Sequence, residues 1–102
     1  MTPDVLVPLA TSPEEISDLF NRYAVALADA SLVAQSVDGR YVDAYTAGFL
    51  LAKLAVRAAG YRVKGGENHR DTLAVLPWIL GSAVQPSADA LDAAQKAKRR
   101  SL

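Results

Sequence analysis

The sequence predicts an all-α fold, an up-and-down antiparallel four-helix bundle, from three observations. Nineteen alanines favour helix, because alanine loses no side-chain entropy when it enters one. Apolar residues recur at alternating spacings of four and three along two long segments, as they do on helices that pack together. Glycines and prolines divide the chain into segments joined by short turns, which is typical of neighbouring antiparallel helices.

The composition excludes several functional classes. The 102 residues are 51% hydrophobic, which suits one domain with a real core. The absence of cysteine and the single histidine exclude a disulfide scaffold, a thiolate metal site and a multi-histidine zinc cluster. No run approaches the ~20 apolar residues that cross a bilayer, and the N-terminus lacks the basic region of a signal peptide. We therefore predict a cytoplasmic protein with no metal, no cofactor and no membrane partner.

The net charge of zero conceals an uneven distribution. Residues 1–38 carry six acidic side chains and one basic one, whereas residues 39–102 carry five acidic and ten basic ones. Such an asymmetry indicates either a half that binds a polyanion or two faces that pair, within the fold or across a dimer.

The first predicted helix has the clearest beginning. Residues 1–11 are predicted to be an extended segment, because two prolines bracket an apolar triplet, and residues 12–102 to be a single helical domain. Ser12 is the N-cap residue of the first helix, Pro13 takes the first helical position, and Glu15 completes a capping box. The helix should extend over about 25 residues along a coiled-coil-like seam. The seam comprises Ile16, Phe20, Tyr23, Leu27, Ala30, Ala34 and Val37.

The second helix is predicted to begin at Asp38 and to stop at Gly60. Small residues dominate the middle of its apolar stripe around Gly48, so another helix can approach closely there. A polar connector over residues 61–67 should follow, and then a third helix from Asn68 to Gly81 that Pro77 kinks or shortens.

The fourth helix is predicted to open at Pro86 and to end in the basic run of residues 96–100. Bases at the C-terminal end of a helix oppose its dipole, and they also suit a phosphate backbone. Both interpretations of the run stay open.

His69 and Arg62 are the candidate catalytic residues. His69 is the only side chain expected to titrate near neutral pH, which makes it the obvious general acid or base. In metal-free RNA cleavage, a histidine activates the 2′-hydroxyl while an arginine stabilises the charged phosphorane. The alternative is that His69 is a solvated surface residue in the first turn of the third helix.

Phosphate binding is predicted at the same connector and at the C-terminal run. Two glycines ahead of a helix, flanked by bases, can cradle a phosphate with outward-pointing amides. A surface turn and solvated charge explain the same residues without a ligand. The predicted phosphate- or nucleic-acid-binding residues are Lys64, Gly65, Gly66, Arg70, Lys98, Arg99 and Arg100.

Residues 41–53, 58–62 and 66–69 together resemble the HEPN superfamily (higher eukaryotes and prokaryotes nucleotide-binding domain), and the resemblance covers about residues 12–102. It implies a bundle of four or five helices that usually dimerises. Many HEPN proteins are metal-independent RNases of toxin–antitoxin, CRISPR and anti-phage systems, marked by an arginine, four to six residues and a histidine. Others are inactive nucleotide-binding or scaffolding partners of a nucleotidyltransferase. Here only Arg62 and His69 have that spacing, and no histidine follows Arg99 or Arg100.

Three functional hypotheses follow. The first is a non-catalytic HEPN-like module that binds nucleotide, RNA or a partner, as part of a toxin–antitoxin or defence system. The second is a metal-independent RNase that uses Arg62 and His69. The third is a dimeric helical interaction module with no nucleotide ligand. The expected partners are a second copy of the chain, a nucleotidyltransferase-type antitoxin, and RNA or a nucleotide. The two long apolar seams favour the homodimer, because one short bundle does not cover them.

Overall fold

The computed structural model describes residues 2–32, 37–65 and 69–101 and is mostly helical, which confirms the predicted all-α class. Two short strands and a 3-10 turn accompany the helices. The strands are β1 (Leu6–Pro8) and β2 (Tyr61–Val63), and the 3-10 turn is Ser82–Val84. The helices are α1 (Pro13–Ala30), α2 (Val37–Ala58), α3 (His69–Ala74), α4 (Leu76–Leu80) and α5 (Gln85–Ser101).

Helix α1 has the predicted N-cap and ends earlier than predicted. The Ser12 hydroxyl accepts a hydrogen bond from the backbone N–H of Glu15 at 3.1 Å, which confirms the N-cap. The Glu15 carboxylate bonds Thr11 and Arg57 in place of the Ser12 N–H, so the predicted capping box is only half formed. The helix ends at Ala30, where the Ser31 hydroxyl donates to the carbonyl of Leu27 at 3.0 Å. Such a local side-chain bond competes with continued helix. The predicted length of about 25 residues is therefore wrong: Val37 belongs to α2, and Ala34 lies outside the described residues.

Helix α2 is the central element. Helices α1, α3, α4 and α5 and strand β2 all pack against it. It runs antiparallel to α1, since Glu15 at the beginning of α1 pairs with Arg57 at the end of α2. At Gly48 another helix does approach closely: a Cβ atom there would lie 2.7 Å from Leu91 Cδ2 of α5. Gly60, at a φ of +88°, reverses the chain after α2.

The predicted third helix is divided into α3 and α4 at Val75. Pro77 has no N–H with which to bond the carbonyl of Leu73, so the regular helical ladder is interrupted there. The Trp78 and Ile79 N–H groups instead both bond the Val75 carbonyl, at 3.1 and 3.2 Å. The predicted effect of Pro77 is confirmed, and it leaves two short helices.

The two strands form an antiparallel ribbon that joins the N-terminal segment to the helices. Leu6 is opposite Val63, and Pro8 is opposite Tyr61. Leu6 and Val63 are both buried in the main apolar core, among residues of α2, α3, α4 and α5. Within the predicted extended segment, the strand covers Leu6–Pro8 and follows a turn at residues 4 and 5. The prediction that Tyr61–Val63 belong to a polar connector is wrong, because these residues pair with the N-terminal segment instead.

Candidate functional site

Within the described part of the chain, Arg57 is a buried and highly connected polar side chain that the sequence did not single out. Its side chain is 7% exposed, and all five of its N–H groups have acceptors. Nε and Nη2 bond the two carboxylate oxygens of Glu15 at 3.0 and 2.8 Å. Nη1 and Nη2 also bond the backbone carbonyls of Leu9, Tyr61 and Ala10 at 2.6–3.0 Å. Arg57 therefore ties together the chain before α1, the end of α2 and strand β2.

The hydrogen bonds between Glu15 and Arg57 shift the pKa of both side chains. The hydrogen bonds from Arg57, together with one from the Thr11 hydroxyl, lower the pKa of Glu15 from 4.5 to about 2. The hydrogen bond to Glu15 in turn raises the pKa of Arg57. Because every donor of Arg57 is occupied within the chain, its role is to hold elements together.

His69 is packed against two aromatic rings of α2, and the solvated-surface alternative is wrong. Its ring stacks on Phe49 with centroids 3.8 Å apart and planes 7° apart. The ring of Tyr45 lies 5.8 Å away at 12°, and Tyr45 Oη is 2.5 Å from His69 Nδ1. Tyr45 and Phe49 are both buried. The imidazole is thereby fixed in orientation, with Nδ1 engaged by the tyrosine hydroxyl.

Arg62 is exposed on β2 and lines a cavity of about 250 Å³, whose other walls come from α1, α2 and α3. Phe49, Lys53 and Thr72 also line this cavity. Phe49 therefore links the two predicted catalytic residues, since it forms a wall of the cavity and stacks on His69. Their joint action as arginine and base stays a prediction.

The predicted phosphate-binding residues are only partly described. Lys64 and Gly65 form an exposed turn after β2, with a φ of +81° at Gly65. Arg70 is exposed on α3, and its Nε lies 3.7 Å from Asp71 Oδ1. The remaining predicted residues lie outside the described part: they are Gly66 and the side chains of Lys98, Arg99 and Arg100. Phosphate binding at these positions stays a prediction.

A large exposed apolar surface crosses α1, α2 and α4. We use the term apolar surface for Phe20, Leu51, Leu54 and Leu80, of which Phe20 and Leu80 are each 54% exposed and Leu51 is 46% exposed. An open depression of about 650 Å³ lies between the beginning of α1 and Leu54. A second cavity, of about 430 Å³, lies between α2, α4 and α5 and is also lined by Leu54. Because Leu54 lines both depressions, they are neighbours on the same side of the molecule.

The predicted seam of α1 contributes to this exposure. The residues that α1 buries are Leu19 and Ala26, while Phe20 and Leu27 of the seam are 54% and 47% exposed. Among the described elements, α2 is the one against which α1 packs extensively. The outer part of the seam therefore has no neighbour within the described part of this chain.

The molecule is more open than a compact monomer of its mass. Its accessible surface is 6417 Å². A compact monomer of 10.8 kDa is expected to expose about 5,500 Å², so the excess is roughly 900 Å². The Cα radius of gyration is 14.0 Å, against about 13 Å for a compact chain of this length.

In comparisons with known proteins, no protein family, no curated protein and no solved structure matches the chain. Across residues 2–32, 37–65 and 69–101, no three His, Asp or Glu side chains gather as metal ligands would. In the same part of the chain, no helix has both the length and the apolarity needed to span a bilayer.

Proposed function

We propose that this protein is a non-catalytic helical interaction module whose partner is a second copy of itself. The observation that carries the proposal is the apolar surface across α1, α2 and α4, on which Phe20, Leu51 and Leu80 are about half exposed. Large contiguous apolar patches on small soluble proteins mark interaction sites. This is the third of the functional hypotheses that the sequence left open.

Surface area, net charge and symmetry favour a second copy as the occupant. The chain exposes roughly 900 Å² more surface than a compact monomer of its mass, so it has surface available for a standard interface, which takes about 800 Å² from each partner. A chain with a net charge of zero also meets no long-range repulsion from its own copy. Two-fold dimers are the commonest oligomers and need one self-complementary patch, which the apolar surface supplies.

The engagement of His69 supports a non-catalytic role. The only histidine of the sequence is stacked on Phe49, with its Nδ1 at the Tyr45 hydroxyl. Such contacts account for the residue as part of the packing between α2 and α3. The complete up-and-down bundle, the HEPN resemblance, and the RNA and nucleotidyltransferase-type partners that it implies stay predictions.

The mass in solution tests the proposal. In sedimentation equilibrium over about 1–100 µM, the average mass should rise with concentration towards twice the chain mass of 10.8 kDa. Leu51→Glu places a charge in the apolar surface, so this variant should sediment as a monomer with unchanged circular dichroism.

The matched control is Val25→Glu. Val25 is 62% exposed on α1 but lies about 140° around the helix from Phe20, at 100° per residue. This variant should remain dimeric. A wild-type protein that is monomeric across the whole range would contradict the proposal.

A further inference from the structure

The cavity between α2, α4 and α5 is built for an apolar occupant. It has a volume of about 430 Å³, and its walls include Leu51, Ala55, Leu76, Leu80 and Leu91. Of its lining residues, Ser87 is the one with a polar side chain. A polar ligand would lose its hydrogen bonds to water here and find almost no replacement. An aromatic ring would lose no such hydrogen bonds, because it would only exchange contact with water for contact with aliphatic side chains.

Phe20 is an exposed ring on the side of the molecule where this cavity opens. Its side chain is 54% exposed, and its ring centroid lies 6.0 Å from that of Tyr23. It borders the open depression that shares Leu54 with the cavity. Large rigid aromatic side chains that fill a pocket on the partner are the usual anchors of protein interfaces.

The neighbouring positions of anchor and cavity suit two-fold symmetry. In a two-fold dimer, a contact from one residue to a second site is always made twice, once in each direction. Since Leu54 lines both the depression beside Phe20 and the cavity, a two-fold axis passing near Leu54 would bring each ring towards the cavity of the other copy. Building on the proposed self-association, we infer that the Phe20 ring of each copy inserts into the cavity of its partner between α2, α4 and α5.

Single substitutions should weaken the dimer from either side of the contact. Phe20→Ala removes the anchor, and Ala55→Trp fills the cavity from within. Each homodimer then loses both ring–cavity contacts, and its dissociation constant should rise at least about tenfold, as for other buried aromatic anchors. Val25→Ala, an apolar truncation at an equally exposed position of α1, should leave the constant within about twofold, as surface changes outside an interface do.

Mixing the two variants provides the decisive measurement. In a heterodimer of Phe20→Ala with Ala55→Trp, the intact ring of the second copy faces the open cavity of the first. One of the two contacts is thereby restored. Native mass spectrometry of an equimolar mixture should show the heterodimer in excess of both homodimers, because the variants differ in mass.

Ser87→Trp is a second cavity-filling variant, for the case in which Ala55→Trp does not fold. Ser87 is an exposed lining residue on α5, so a large side chain there covers the cavity without entering the core. Mixed with Phe20→Ala, it should restore the heterodimer in the same way.

The outcomes separate this inference from the proposed function. A monomeric wild-type protein overturns both. A wild-type dimer that withstands Phe20→Ala overturns only the ring–cavity contact and assigns the cavity to another occupant. In the third outcome, each substitution weakens the dimer but mixing the variants does not restore it. This result overturns the insertion of each ring into the partner's cavity. It indicates that the two Phe20 side chains meet each other on the axis.

Discussion

Glu15 and Arg57 form the ion pair that joins the beginning of α1 to the end of α2. Arg57 lowers the pKa of Glu15 to about 2, compared with 4.5 in the absence of the fold. The folded protein therefore binds this proton more weakly than the unfolded chain does. The stability that the pair contributes is complete above pH 4.5 and is lost as the pH falls towards 2.

Urea unfolding as a function of pH measures this contribution. We expect the free energy of unfolding of the wild type to fall between pH 4.5 and 2 more steeply than that of Glu15→Gln, which has no carboxyl to protonate. Glu14→Gln is the control, because Glu14 is exposed in the same turn and should leave the profile of the wild type unchanged. Identical profiles for wild type and Glu15→Gln would show that the ion pair does not exist in solution.

The residue types at the candidate site were predictable, but their contacts were not. His69 stands out because it is the only histidine, whereas its ring partners Tyr45 and Phe49 lie 24 and 20 residues before it in the sequence. Such pairings depend on how α2 and α3 pack, which no local pattern reports. Arg57 did leave a signal: it is the single charged residue between Leu54 and Ala59, as a buried and fully bonded arginine would be.

The two-stranded ribbon is the element whose contribution is least expected from the sequence. Leu6 is 5% exposed and belongs to the main core, whereas Leu9 in the same segment is 46% exposed. We therefore expect Leu6→Ala to lower the free energy of unfolding by about 2–4 kcal/mol. Leu9→Ala should cost less than about 1 kcal/mol. Urea denaturation followed by circular dichroism checks both, and equal small effects would mean that the ribbon is not part of the core.

Local sequence signals predicted where the helices begin and end. Contacts between residues far apart in the sequence determine the pairing of β2 and which face of α1 is exposed. Ser12, Gly60 and Pro77 act within a few residues of themselves, so the N-cap, the stop and the interruption of the third helix were visible in the sequence. Strand β2 pairs with residues more than 50 positions away, and three residues carry too short an alternation to predict a strand. The apolar seam of α1 was also visible, but its exposure depends on which face α2 covers.

At the scale of the whole molecule, the opposite charges of the two parts of the chain allow two kinds of dimer. In one kind, the acidic residues 1–38 of one copy pair with the basic residues 39–102 of the other. In the other kind, the apolar surfaces meet and the charges stay in solvent. The Glu15–Arg57 pair shows one acidic group of the first part already neutralised by the second part within the same chain, which favours the apolar dimer.

The salt dependence of dimerisation distinguishes the two kinds. At 0.1 M salt the screening length is about 10 Å, so a dimer held by exposed charges weakens steeply with added salt, whereas an apolar one does not. From 50 to 500 mM NaCl we expect the dissociation constant to change by less than about threefold, because little net charge is neutralised on association. Sodium sulfate should tighten the dimer, since it strengthens the burial of apolar surface. A dissociation constant that rises more than about tenfold with NaCl would place the acidic and basic parts of opposite copies in contact and remove the apolar surface from the interface.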